Sequence, residues 1–74
     1  MRDYRFHGFT RDGAGSFADV LREDGFTMVE VLPSDGRTPG WGVHGMADER
    51  SEGLLETLAQ FFGGAYDGDG MARG

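Results

Sequence analysis

The stretch Phe26-Thr27-Met28-Val29-Glu30-Val31-Leu32-Pro33-Ser34-Asp35-Gly36-Arg37-Thr38-Pro39-Gly40-Trp41-Gly42-Val43-His44-Gly45-Met46 decides the fold. Its first seven residues are rich in β-formers, with Val29 and Val31 on one face and Met28 and Glu30 on the other. Pro33-Ser34-Asp35-Gly36 is a strong turn signal, since proline presets φ and Asp and Gly tolerate tight reversals. Pro39-Gly40 closes that loop, and extended chain resumes from Trp41 to Met46, with Trp41 and Val43 opposite His44. A hairpin is therefore expected mid-chain, and its flanks fix the topology.

On the N-terminal side, Tyr4 and Phe6 alternate with Arg5 and His7, which predicts a half-buried strand over Tyr4 to Phe9. Thr10 to Gly15 reads as a turn, and Ser16 as the cap of a short helix carrying Phe17, Val20 and Leu21 on one stripe. Gly25 is placed to end that helix in the left-handed conformation. On the C-terminal side, Asp48 is a candidate N-cap, with Glu49 and Glu52 where the helix dipole favours negative charge. Leu54, Leu55, Leu58, Phe61 and Phe62 form a broad apolar face, and Gly63-Gly64 stops the helix. Ala65 to Met71 reads as a last, weak strand. Strand, helix, strand, strand, helix, strand is the order of an α+β, ferredoxin-like βαββαβ sandwich. Residues 1–74 then form a single domain: a four-stranded antiparallel sheet with two helices on one face and the other face open.

Bulk composition narrows the function classes. A chain of 74 residues has room for one thin core, and a large ligand cavity would compete with it. The formal charge is −6, with no lysine, so phosphate backbones are repelled and a partner with a basic surface is the natural complement. Direct nucleic-acid binding is not expected. The absence of cysteine removes disulfides, thiolate nucleophiles and Cys-ligated zinc. Met1-Arg2-Asp3-Tyr4 has no apolar signal core and no run approaches spanning length, so a cytoplasmic protein without membrane contact is expected.

Chemistry-bearing motifs are sparse. In the expected topology the first and third strands are neighbours, so His7 and His44 can meet on the open face and confer pH sensitivity near neutrality. Two histidines fall short of the three or four ligands that zinc requires. Asp67-Gly68-Asp69-Gly70 resembles the start of a calcium loop but has neither the third acidic position nor the closing glutamate. Gly13 and Gly15 are not followed by the Lys-Ser/Thr of a phosphate loop. No serine, histidine and acid share a recognisable local context. No catalytic residue, metal ligand or cofactor is expected. Asp48, Glu49, Glu52 and Glu56 make an acidic helix face suited to a basic partner, with Trp41 as a candidate interface anchor.

Three segments resemble the bacterial ribonuclease E inhibitor (RraB) family: Leu21-Arg22-Glu23-Asp24-Gly25-Phe26, Trp41-Gly42-Val43, and Leu58-Ala59-Gln60-Phe61-Phe62-Gly63-Gly64-Ala65-Tyr66-Asp67-Gly68. The last is the most specific, with Gly63, Gly64, Tyr66, Asp67 and Gly68 matching the family's closing motif; Asp69 stands where that family has tryptophan. The resemblance implies a ferredoxin-like fold and a non-enzymatic regulator that restrains RNA decay by binding a ribonuclease. An alternative resemblance is to the ACT family of small-molecule regulatory domains, carried by Arg11-Asp12-Gly13-Ala14-Gly15 and Val20-Leu21. Acylphosphatase shares the expected fold, but its chemistry uses an asparagine and this chain has none. Homodimerisation through the open face or a sheet edge is compatible with each reading.

Overall fold

A computed structural model describes residues 1–34, 36 and 40–67. The chain runs β1 (Arg2–Phe9), α1 (Arg11–Glu23), β2 (Thr27–Leu32), β3 (Trp41–Ala47), α2 (Glu52–Phe61) and β4 (Ala65–Tyr66). The strands form one sheet in the order β2-β3-β1-β4, with each neighbouring pair antiparallel. Each βαβ crossover thus skips one strand, which the other crossover supplies. The α+β fold expected from the hairpin and its flanks is the one observed.

Helix α1 begins earlier than the glycines suggest. Thr10, not Ser16, is its N-cap: the hydroxyl accepts from the Gly13 N–H at 3.0 Å, and the Thr10 carbonyl accepts from Ala14 at 2.9 Å. Residues 11–15 are therefore helical, and the turn on which the ACT resemblance rested is absent. Gly13 is required by packing, because a Cβ there would lie 2.9 Å from the Phe62 carbonyl oxygen. Likewise α2 is capped by Ser51, whose hydroxyl accepts from Leu54 N–H at 3.3 Å, and not by Asp48. Asp48 instead faces Arg50 Nε at 3.3 Å.

Both helices end as expected, in glycine. Gly25 N–H donates to the Arg22 carbonyl and Phe26 N–H to Leu21; Gly63 N–H donates to Gln60 and Gly64 N–H to Ala59. These paired bonds are Schellman closures, with Gly25 at φ 96° and Gly63 at φ 90°.

The core lies between the helices and one face of the sheet. Tyr4, Phe6 and Phe9 from β1 and Val43 and Ala47 from β3 meet Ala14, Phe17, Ala18 and Leu21 from α1 and Leu55 and Ala59 from α2. Phe17 is its centre, with ring centroids 4.7 Å from Phe6, 5.0 Å from Phe9 and 5.7 Å from Phe62. Edge and offset ring pairs of this kind contribute about 0.5–1.5 kcal/mol each beyond area burial. Trp41 packs half-buried against this cluster.

Two irregularities shape the sheet. The β1–β3 register shifts between Phe6 and Phe9, where Gly8 takes φ 89°. The β2–β3 register shifts between Thr27 and Glu30, where Met28, an exposed non-glycine residue, takes φ 54°. Strand β4 is two residues long; positions 68–71 of the expected strand, including motif residue Gly68, lie outside the described residues.

Candidate functional site

Two surfaces stand out: a flank of α2, and the sheet face away from the helices. Of the five apolar residues expected to form one helix face, Leu55 is buried and Leu58 and Phe62 pack against the core. Leu54 and Phe61 do not reach it, remaining 71% and 82% exposed. At ~100° per residue, Leu54, Leu58 and Phe61 form a stripe along one flank of α2. That stripe lines a groove of about 730 Å³ with Asp24, Arg50, Ser51, Leu55 and Thr57. Arg50 anchors its end, donating to Asp24 Oδ2 at 3.1 Å and to the Asp24 carbonyl at 3.0 Å, with its guanidinium 5.0 Å from the centroid of the Phe26 ring. The Arg50 backbone N–H donates to the buried Tyr4 hydroxyl at 2.8 Å, tying the approach to α2 onto β1.

The acidic residues occupy another flank. Glu52 and Glu56 are exposed, each about 160° around the helix from Leu54. No cation lies on α2 between them, and Asp48 and Glu49 precede the helix. Trp41 is not part of this surface: it begins β3, whereas Asp48 follows the strand's far end, seven residues or roughly 23 Å away at ~3.3 Å per residue. Of the expected acidic helix face only Glu52 and Glu56 lie on α2, and the exposed apolar stripe on another flank was not expected from the sequence. A five-residue apolar face is wider than a ten-residue helix over a small sheet can bury, which was the available signal.

On the open face, strand alternation places Asp3, Arg5 and His7 of β1 beside His44 of β3. Arg5 is the direct cross-strand partner of His44. Asp3 holds both: its Oδ2 accepts from Arg5 Nη2 at 3.2 Å and Nε at 3.4 Å, and its Oδ1 is in contact with His44 Nε2. His7 Nδ1 lies 3.6 Å from Asp67 Oδ1. The two histidines do come to one face, as expected, but each faces its own carboxylate. Arg5, His7, His44 and Asp67 line a hollow of about 420 Å³ whose other walls include Leu32, Pro33, Gly40 and Gly42. Among the described residues no three histidine or carboxylate side chains converge to hold a metal ion.

The closing motif divides between structure and surface. Gly63 supplies the left-handed helix stop, and Gly64 passes so close to Phe9 that a Cβ would lie 2.4 Å from its ring. Tyr66 packs inward, its ring centroid 5.4 Å from Phe6 and 6.3 Å from Tyr4. Among the described motif residues it is Asp67 that turns to the open face, towards His7. Compared with protein-family models, curated proteins and solved structures, the chain gives no significant match. Among the described residues no helix is long and apolar enough to cross a membrane.

Proposed function

We propose that the protein is a non-enzymatic interaction module whose α2 flank receives a basic, amphipathic helical segment of a protein partner. The observation that carries this reading is the pair of large apolar side chains, Leu54 and Phe61, left 71% and 82% exposed two turns apart beside a groove. Anchors two turns apart are how a groove reads a helix laid along it. Full burial of each would contribute roughly 1.5–3 kcal/mol to docking. Charge selects the occupant: at a net −6, a second copy is repelled and a basic segment is drawn in. Glu52 and Glu56 stand about one helix diameter (~10 Å) from the groove, about one Debye length at 0.1 M salt. They act on encounter rate more than on the bound contact.

The resemblance of residues 58–68 to the ribonuclease E inhibitor family nominates a ribonuclease as that partner, and restraint of RNA decay as the consequence. The test is RNA cleavage by a purified endoribonuclease of the ribonuclease E type, with added protein or its Leu54→Glu and Phe61→Glu variants. Inhibition by the parent and its loss in both variants supports the reading. Equal inhibition by all three moves the interface elsewhere, and no inhibition removes the ribonuclease. Sedimentation across a concentration series gives the remaining outcome: self-association abolished by Leu54→Glu would give the groove to a second copy.

A further inference from the structure

The hollow on the open face is independent of α2, and its shape follows from two cross-strand rows. Glu30, His44, Arg5 and Asp67 form one row across β2, β3, β1 and the end of β4: Glu30 pairs with His44, His44 with Arg5, and Asp67 N–H donates to the Arg5 carbonyl at 2.8 Å. The adjoining row is Leu32, Gly42, His7 and Ala65, with Leu32 paired to Gly42 and His7 to Ala65. Every side chain in the first row is charged or titratable, whereas the second row has its smallest residues on either side of His7. The missing bulk at Gly42 opens the hollow of about 420 Å³, near the lower end of the ~300–1,000 Å³ range of small-ligand sites.

The polar groups are held from behind. Asp3 takes Arg5 Nε and Nη2 on one oxygen and His44 Nε2 on the other, and both Arg5 and His44 line the hollow. Asp67 stands next to Arg5 in the row, where cross-strand Cβ atoms lie about 4.5–5.5 Å apart. Yet Arg5 turns to Asp3 on its own strand, while Asp67, 57% exposed, faces His7. One guanidinium and one carboxylate thus line the same small hollow without neutralising each other. Leu32 and Pro33 form an apolar wall beside them.

A lone anion would meet Asp67 and the field of a chain at −6; a lone cation would meet Arg5. A dipolar ion satisfies both ends and, having no net charge, is indifferent to that field. We propose that the open-face hollow binds a small zwitterion, an α-amino acid with an apolar side chain. Its carboxylate lies on Arg5 and His44, its ammonium on Asp67, and its side chain against Leu32 and Pro33.

L-Phenylalanine is a suitable probe, set against 3-phenylpropanoate, which lacks the ammonium, and phenethylamine, which lacks the carboxylate. Titrations are followed by the ring resonances of His7 and His44. Saturable millimolar shifts with phenylalanine are expected, and each single-charge analogue should bind at least about tenfold more weakly, because it leaves a charged group of the site unpaired. Arg5→Gln and Asp67→Asn should each cost about tenfold, with amide spectra showing the fold retained, while His44→Gln weakens binding less. Leu54→Glu should change nothing, which separates this site from the α2 groove. Equal binding of either analogue, unaffected binding in Arg5→Gln and Asp67→Asn, or no histidine shift at millimolar phenylalanine would each overturn the proposal.

Discussion

Gly63 and Gly64 are adjacent glycines that the fold needs for unrelated reasons, and substitution separates them. At Gly64 the obstacle is steric. A Cβ would lie 2.4 Å from Phe9 Cε1 and Cζ, about 1.1 Å inside the ~3.5 Å at which carbon atoms begin to make favourable contact. Phe9 cannot yield easily, since it is 1% exposed and stacked on Phe17 at 5.0 Å. Gly64→Ala should therefore cost about 2–3 kcal/mol, the upper part of the overpacking range. At Gly63 no atom stands within 4 Å of the added Cβ, but φ is 90°, so Gly63→Ala should cost about 1–2 kcal/mol of backbone strain. A chain of 74 residues holds roughly 4–11 kcal/mol in all, so both losses are large enough to measure. Urea unfolding followed by Trp41 fluorescence, with an unchanged m-value, gives the two figures. The decisive arm is Phe9→Leu, which makes room beside position 64 alone. In double-mutant cycles it should couple to Gly64→Ala by about 1 kcal/mol or more, and be additive with Gly63→Ala within ~0.5 kcal/mol. Equal coupling to both, or a Gly64→Ala cost below about 0.5 kcal/mol, would refute the steric argument.

Three further outcomes follow from single contacts. Tyr4→Phe removes the hydroxyl that accepts from Arg50 N–H at 2.8 Å; it should cost about 1–2 kcal/mol by urea titration and lower Tm by ~4–8 °C for each kcal/mol. Thr10→Ala deletes the cap of α1 and should cost about 1 kcal/mol, while Ser16→Ala, outside any cap, should stay within ~0.5 kcal/mol of the parent. Phe17→Ala empties the centre of the core, with an expected loss of about 3–5 kcal/mol that leaves the chain largely unfolded near 37 °C in circular dichroism.

The element order and the two inward faces of the hairpin were legible because they rest on period-two alternation, while the expected turn over residues 33–40 lies partly outside the described residues. The start of α1 was not legible. Gly13 and Gly15 read as turn residues, yet Gly13 is glycine because α2 passes over it, a contact between residues 49 positions apart. The cap of α2 was displaced for a similar reason: Asp48 looks like an N-cap locally, but Arg50 is held by Tyr4 and Asp24, so the helix begins after it. Both histidines were visible as open-face residues. Their carboxylate partners were not, since Asp3 lies on the same strand as His7 but serves His44, and Asp67 reaches His7 across the β1–β4 pairing. The acidic residues of α2 were plain in the sequence, whereas the exposed stripe was signalled only by an apolar face too wide for so short a helix to bury.

The left-handed Met28 has a bearing on how this molecule behaves in crowded solution. Strand β2 is an outermost strand of the sheet, and six unprotected residues would otherwise offer a template onto which another chain could add. The kink at Met28 sets Thr27 apart and shortens that row of amides and carbonyls to Val29–Leu32. Straightening it would be expected to favour ribbon-like assembly through that edge.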